Sequence, residues 1–183
     1  MTKRQRPENW EPYLTIKSEA DVDRYLERLK AAAARAVAWL CEQQGDPLDL
    51  LRRMKFAEIA FHPIEDRPLN LIERLNQTWA YATALAAARQ LLKLHPDASG
   101  FKVAPGAHMA IPLDIMSFDG TVGAETFAAV HPRNNGKLAR DVEKMARRSE
   151  QHRYVFFSSP QFPAPQQLPD FERDGVKVWS VGI

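Results

Sequence analysis

Asp119-Gly120 stands between two largely apolar runs, residues 113–118 and 121–130. That dipeptide is the strongest short-range signal for a tight β-hairpin. With Asp119 and Gly120 as a two-residue loop, the strands pair so that Asp114 faces Glu125 across the hairpin. Leu113, Ile115, Ala124 and Thr126 then point to the opposite face. Opposed carboxylates repel, and on an apolar hairpin they are costly unless a cation lies between them. The stretch therefore predicts a sheet and, at Asp114 and Glu125, a candidate cation site.

The remainder of the chain supplies one domain's worth of material. Its 183 residues are enough for a real core, and 45% apolar with 26% charged content describes a globular protein. A net charge of +2 identifies no partner. Its distribution is more telling: between residues 131 and 153, seven basic residues (Arg133, Lys137, Arg140, Lys144, Arg147, Arg148, Arg153) outnumber three acids (Asp141, Glu143, Glu150). Beside an acidic pair such a segment suits phosphate binding, although a solvated helix face explains it equally. Cys41 is the single cysteine, which excludes an intrachain disulfide and a cysteine-rich zinc site. The basic N-terminus leads into no apolar segment and no run reaches about 20 apolar residues, so a cytoplasmic protein without a membrane partner is expected.

Taken in order, residues 1–17 read as a loose arm. Ser18 followed by Asp21 is a helix start close to a capping box, with apolar residues then at helical spacing towards Gly45-Asp46-Pro47. A short helix is expected over 48–54. Residues 56–69, broken by Pro63 and Pro68, read as irregular or briefly extended, with Pro68 in the first turn of the next helix. His62, Glu65 and Asp66 lie close together there, but their spacing matches no ligand motif. Residues 69–94 form the longest helical pattern, its apolar stripe including Leu71, Ile72, Leu75, Trp79 and Leu85, flanked by Asn70, Glu73 and Gln77. Strands are expected over 101–104, 108–117, 121–130, 154–157 and 176–181, with a helix over 137–149 and a proline-rich loop or arm over 160–170.

This predicts an α/β (α+β) domain spanning 1–183: a mixed central sheet containing the hairpin and flanked by helices. It comprises a helical N-terminal extension (1–55), a core (69–158), and a C-terminal arm with a last strand (160–183). The order helix, strand, hairpin, helix, strand, with Pro112-Leu113-Asp114 on one hairpin strand and Glu125-Thr126-Phe127 on the other, resembles the PD-(D/E)XK superfamily of restriction-endonuclease-like phosphodiesterases. The family pattern places Glu-x-Lys where this chain has Glu125-Thr126-Phe127, so its lysine is missing.

The resemblance implies a nuclease in which Asp114 and Glu125 hold Mg²⁺ (or Mn²⁺), Glu73 is an accessory acid on the preceding helix, and a lysine from the following helix replaces the absent one. Lys137 is the expected residue, with Lys102 and Lys144 as weaker candidates. Arg133, Asn134, Asn135 and Arg140 would contact a nucleic-acid substrate, and subunits of such enzymes often pair to cut two strands. Opposed carboxylates suit the task because they hold a hard cation that lowers the pKa of its bound water, while a lysine orients that water or offsets developing charge.

Two other readings compete. A catalytically inactive member of the fold would bind a protein or nucleic acid through the basic segment and through Trp10, Tyr13 or Trp179. A small-molecule site would need His62, His108 and His131 to converge on an apolar pocket. Whether a lysine amine reaches the carboxylate pair discriminates the first of these from an enzyme.

Overall fold

In the computed structural model, which describes residues 11–106 and 111–183, Ser18 caps the first helix as its sequence context requires. Its hydroxyl accepts the Asp21 N–H, and Asp21 returns the bond to the Ser18 N–H, a complete capping box. Helix α1 runs Glu19–Cys41. Asp46 caps α2 (Pro47–Phe56) with Pro47 in its first turn. Asn70 caps α3 (Leu71–Leu94) by accepting the Glu73 N–H at 2.8 Å. Pro68 lies before that helix: Pro68–Leu69 (β3) pairs antiparallel with Ala60–Phe61 (β2) as a separate two-stranded ribbon.

The main sheet has seven strands, numbered with the ribbon strands in chain order: β1 (Leu14–Ile16), β4 (Phe101–Val103), β5 (Ile115–Ser117), β6 (Val122–Ala128), β7 (His152–Ser158), β8 (Gln166–Gln167) and β9 (Val176–Ser180). Their spatial order is β1-β4-β5-β6-β7-β9-β8. β6, β7 and β9 run parallel and every other neighbouring pair is antiparallel. Helix α4 (Lys137–Ala146) makes the crossover from β6 to β7. It follows a turn in which Asn135 and Gly136 take φ of 56° and 62°, left-handed values that favour these two residue types.

The sheet separates two apolar layers. On one face α1 and α3 pack against it through Val22, Leu29, Leu85 and Leu91, meeting Phe101, Ile115, Ala124 and Phe156. On the other, α4 seats Leu138, Val142 and Met145 against Phe127, Val155, Phe157 and Val178. Burying each such large side chain stabilises the fold by about 1.5–3 kcal/mol before the entropy cost of ordering it.

Three local expectations are corrected by this packing. Leu14–Ile16 is not loose arm but an edge strand paired with β4. The 160–170 segment carries β8, which closes the opposite edge against β9. On α3, Ile72, Leu75 and Trp79 are exposed rather than core, because the first turns of the helix run past the sheet; burial starts at Tyr81 and continues through Leu91, apart from Leu71 and Arg74 earlier on. Arg74 is buried there, donating to the Ala32 carbonyl and, at 3.2 Å, to that of Phe61, so it ties α1 and the ribbon to α3.

Candidate active site

The hairpin loop is wider than a two-residue turn, yet the register is the expected one. Ile115 pairs with Ala124 and Met116 with Gly123. Residues 118–121 form the loop, which the Gly120 N–H closes by donating to the Ser117 carbonyl at 3.1 Å and side chains reinforce. Asp119 Oδ1 accepts Ser117 Oγ at 2.5 Å, Thr121 N at 3.0 Å and Thr121 Oγ1 at 2.9 Å, while Ser117 Oγ accepts the Val122 N–H at 2.9 Å. These bonds hold the Asp119 carboxyl below the usual carboxylate range, the Ser117 hydroxyl contributing most.

Beyond Ile115 the ladder opens, and Asp114 takes over as an acceptor. Its Oδ2 accepts Thr126 N at 2.8 Å and Thr126 Oγ1 at 3.0 Å, and its Oδ1 accepts the Gly106 N–H at 3.2 Å. In this register the backbone opposite Thr126 belongs to Leu113. Leu113 instead turns to the α4-side core, leaving the Thr126 N–H to the carboxylate. Asp114 is thereby fixed in one orientation at the sheet edge.

Glu125 points to the α4 face and is only 5% exposed. Its Oε1 accepts Lys144 Nζ at 2.7 Å. Burial, then the Asp114 charge, push the Glu125 carboxyl up, and Lys144 works against both. The expected lysine, Lys137, is engaged elsewhere: it donates to Asp141 Oδ1 at 2.5 Å, one turn along its own helix. Asp141 is 4% exposed, its Oδ2 has no hydrogen-bond partner among the described residues, and burial pushes its carboxyl up despite Lys137.

Asp114, Glu125, Lys137 and Lys144 all line one cavity of about 1220 Å³. It opens beyond the carboxyl ends of β6 and β7, against Ala128 and Ser158, and is bounded by α3 and by the residues after β9. Crevices at the carboxyl ends of parallel strands are the usual ligand sites of open α/β sheets. Phe127 stands at the position of the missing lysine; it is buried and stacked on Phe157 with centroids 5.7 Å apart, so it serves the core.

Other expected site residues are not brought here. Glu73 is exposed in the first turn of α3, while that helix reaches the cavity through Asn76, Trp79 and Ala80. Arg133 lies over the Phe171 ring at 5.1 Å and lines a separate cleft of about 750 Å³ between α4 and the Pro169–Phe171 turn. Asn134, Asn135 and Arg140 are exposed and do not line the cavity. Lys102 lies over Tyr13 at 5.2 Å, in β4 beside the edge strand β1, and does not line the cavity. Trp179 is half-buried against the α1/α3 core, and Trp10 and His108 lie outside the described residues. His62 is buried with its Nδ1 accepting the Ile64 and Glu65 N–H groups, a loop-shaping role.

The feature that sequence reading undervalued is the spacing Lys137, Asp141, Lys144. These positions share one flank of α4, beside the inward stripe Leu138, Val142, Met145. Both lysines are thus aimed the same way, and helix placement alone decides which one reaches Glu125. Among the described residues no group of three or more His, Cys, Asp or Glu side chains forms a metal-binding cluster, and no helix is long and apolar enough to cross a membrane. Neither a protein-family profile, nor a curated protein, nor a solved structure matches the chain.

Proposed function

We propose that this protein is a divalent-metal-dependent phosphodiesterase of the nuclease type, with Asp114 and Glu125 as the ligands of Mg²⁺ or Mn²⁺ and Lys144 as the accompanying cation. The observation that carries the reading is a lysine amine 2.7 Å from one of two carboxylates that share a single cavity. The order α3, β4, β5, β6, α4, β7 supports it as well, being the order that the PD-(D/E)XK resemblance implies.

The donor set fits such an ion. Magnesium is usually held by one or two carboxylates together with waters and substrate phosphate oxygens. Burial first and the neighbouring Asp114 charge second raise the Glu125 carboxyl, and Lys144 works against both. When bound, the metal would neutralise phosphate charge and lower the pKa of a coordinated water.

The chain's own residues do the rest. The Thr126 and Gly106 amides hold Asp114 in place, so no reorganisation is needed on binding. Lys144, with a side chain 49% exposed, swings from Glu125 to donate an N–H to the attacking water or to a phosphate oxygen. Phe127, stacked on Phe157, gives the cavity an apolar wall.

A second reading, a catalytically inactive binding module of the same fold, is favoured by Phe127 at the lysine position. Calorimetric titration of Mg²⁺ and Mn²⁺ into wild type and Asp114→Asn separates the two. Binding that disappears in the variant, together with cleavage of oligonucleotides, establishes the enzyme. Binding without cleavage leaves the module, and no binding at millimolar metal removes the metal site.

A further inference from the structure

The cavity's lining combines two chemistries. Asp114, Glu125, Lys137 and Lys144 bring charge from β6, α4 and the residue before β5, while Trp79 from α3, Val130 and Ile183 are among its apolar walls. These three are exposed by 46%, 73% and 60%, so they offer large apolar surface to whatever enters. A half-exposed tryptophan at the mouth of a charged cavity is the unusual feature, since Trp is highly buried on average. Exposed Leu75 and Ile72 continue the apolar strip from Trp79 along the same helix.

Among the described residues, the only cations lining the cavity are Lys137 and Lys144, and both are engaged with carboxylates. The arginines expected to follow a phosphate backbone are elsewhere, Arg133 in the second cleft and Arg140 exposed outside the cavity. A duplex presents its phosphates outward and hides its base faces, so tight duplex binding relies on many basic contacts. A single strand exposes base faces that stack on aromatic side chains.

Resting on the phosphodiesterase reading, we propose that the substrate is single-stranded nucleic acid, with one base stacked on Trp79 and the adjoining phosphate directed to the Asp114/Glu125/Lys144 end. The apolar walls then take the base and the charged residues the linkage.

Fluorescence anisotropy tests this with a labelled oligothymidylate, an abasic strand of equal length and a duplex, in Ca²⁺ to permit binding while suppressing cleavage. The variants are Trp79→Ala, Trp79→Phe and Asp114→Asn. The single strand is expected to bind at least tenfold more tightly than the duplex. Trp79→Ala weakens single-strand binding about tenfold, Trp79→Phe restores most of it, and the abasic strand is insensitive to either. Equal or tighter duplex binding, or a Trp79→Ala variant indistinguishable from wild type, overturns the proposal. Failure of the metal site reads differently: base-dependent binding that survives without any calorimetric metal signal sinks the phosphodiesterase and retains the Trp79 platform. Because Trp79 is half-exposed, its variants should melt like wild type, which separates lost binding from lost fold.

Discussion

Lys144 Nζ meets Glu125 Oε1 at 2.7 Å, joining the crossover helix to the strand that precedes it. Lys137, two turns earlier on that helix, instead neutralises buried Asp141. The two lysines line one cavity, yet the geometry gives them different tasks, and that division can be tested.

Lys144→Ala should lower metal-dependent cleavage by about 10²–10³-fold, the usual cost of removing one preorganised donor from a reaction centre, and, by leaving the buried Glu125 carboxyl without its cation, should also cost about 1–3 kcal/mol of stability. Lys137→Ala should leave cleavage near the wild-type rate. It strands the Asp141 carboxyl, 4% exposed, without its cation, and should cost about 1–3 kcal/mol of stability. Denaturant unfolding and oligonucleotide cleavage, run on both variants, check the split; equal activity losses would refute it.

Asp114→Asn keeps the shape of the side chain and loses its charge. Mg²⁺ affinity should fall more than tenfold, since the amide is a poor ligand for a hard cation. The Thr126 and Gly106 bonds to Asp114 leave one carboxylate-like oxygen satisfied in the variant, so the fold should persist. Calorimetry paired with far-UV circular dichroism makes the comparison.

Stability against pH should carry two opposing signatures. The Glu125 carboxyl is raised by burial and by Asp114, so the folded state binds its proton more tightly than the unfolded chain does. Its contribution is fully present below the unfolded pKa and lost as pH rises through the folded one. Asp119, lowered by its Ser117 and Thr121 bonds, contributes above its unfolded pKa and is lost as pH falls through its folded value. Glu125→Gln should therefore remove part of the decline on the alkaline side of the carboxylate range and be no less stable than wild type at pH 7, while losing metal binding. Thermal melts from pH 3 to 8 read this out; a variant with an unchanged profile contradicts it.

Gly100 takes φ +140°, and a Cβ there would lie 2.8 Å from the Ile16 carbonyl oxygen and 2.8 Å from Phe118 Cε2. Gly100→Ala should cost about 2 kcal/mol through strain and overpacking, lowering Tm by roughly 4–8 °C. Metal affinity of the folded variant should be unaffected, because the clash lies at the opposite end of β5 from Asp114. Melting together with calorimetry tests both halves.

The hairpin register was legible because a period-two strand pattern around Asp119-Gly120 admits one pairing that keeps Ile115 and Ala124 inside together. The capping box at Ser18 and the inward stripe of α4 were legible for the same kind of reason: their determinants lie within a few residues of one another. Glu73 was misplaced because helical spacing specifies a face but not how far the helix extends past the sheet. The same spacing reads Ile72 and Leu75 as core, whereas both are exposed.

By itself, then, the sequence determined most of the helices, the hairpin register that pairs Ile115 with Ala124, and the presence of two lysines on one flank of the following helix. Each follows from local periodicity, capping or turn chemistry. Only the tertiary structure decided that Lys144 reaches Glu125, that Arg133 turns to Phe171, and that Trp79 faces the cavity. Those outcomes depend on where α3 and α4 sit along the sheet. That placement is decided by the packing of Leu138, Val142 and Met145 on Val155 and Phe157, and of Leu85 and Leu91 on the opposite face. Contacts between residues far apart in the chain carry no short-range signature, and here they select the groups that share the site.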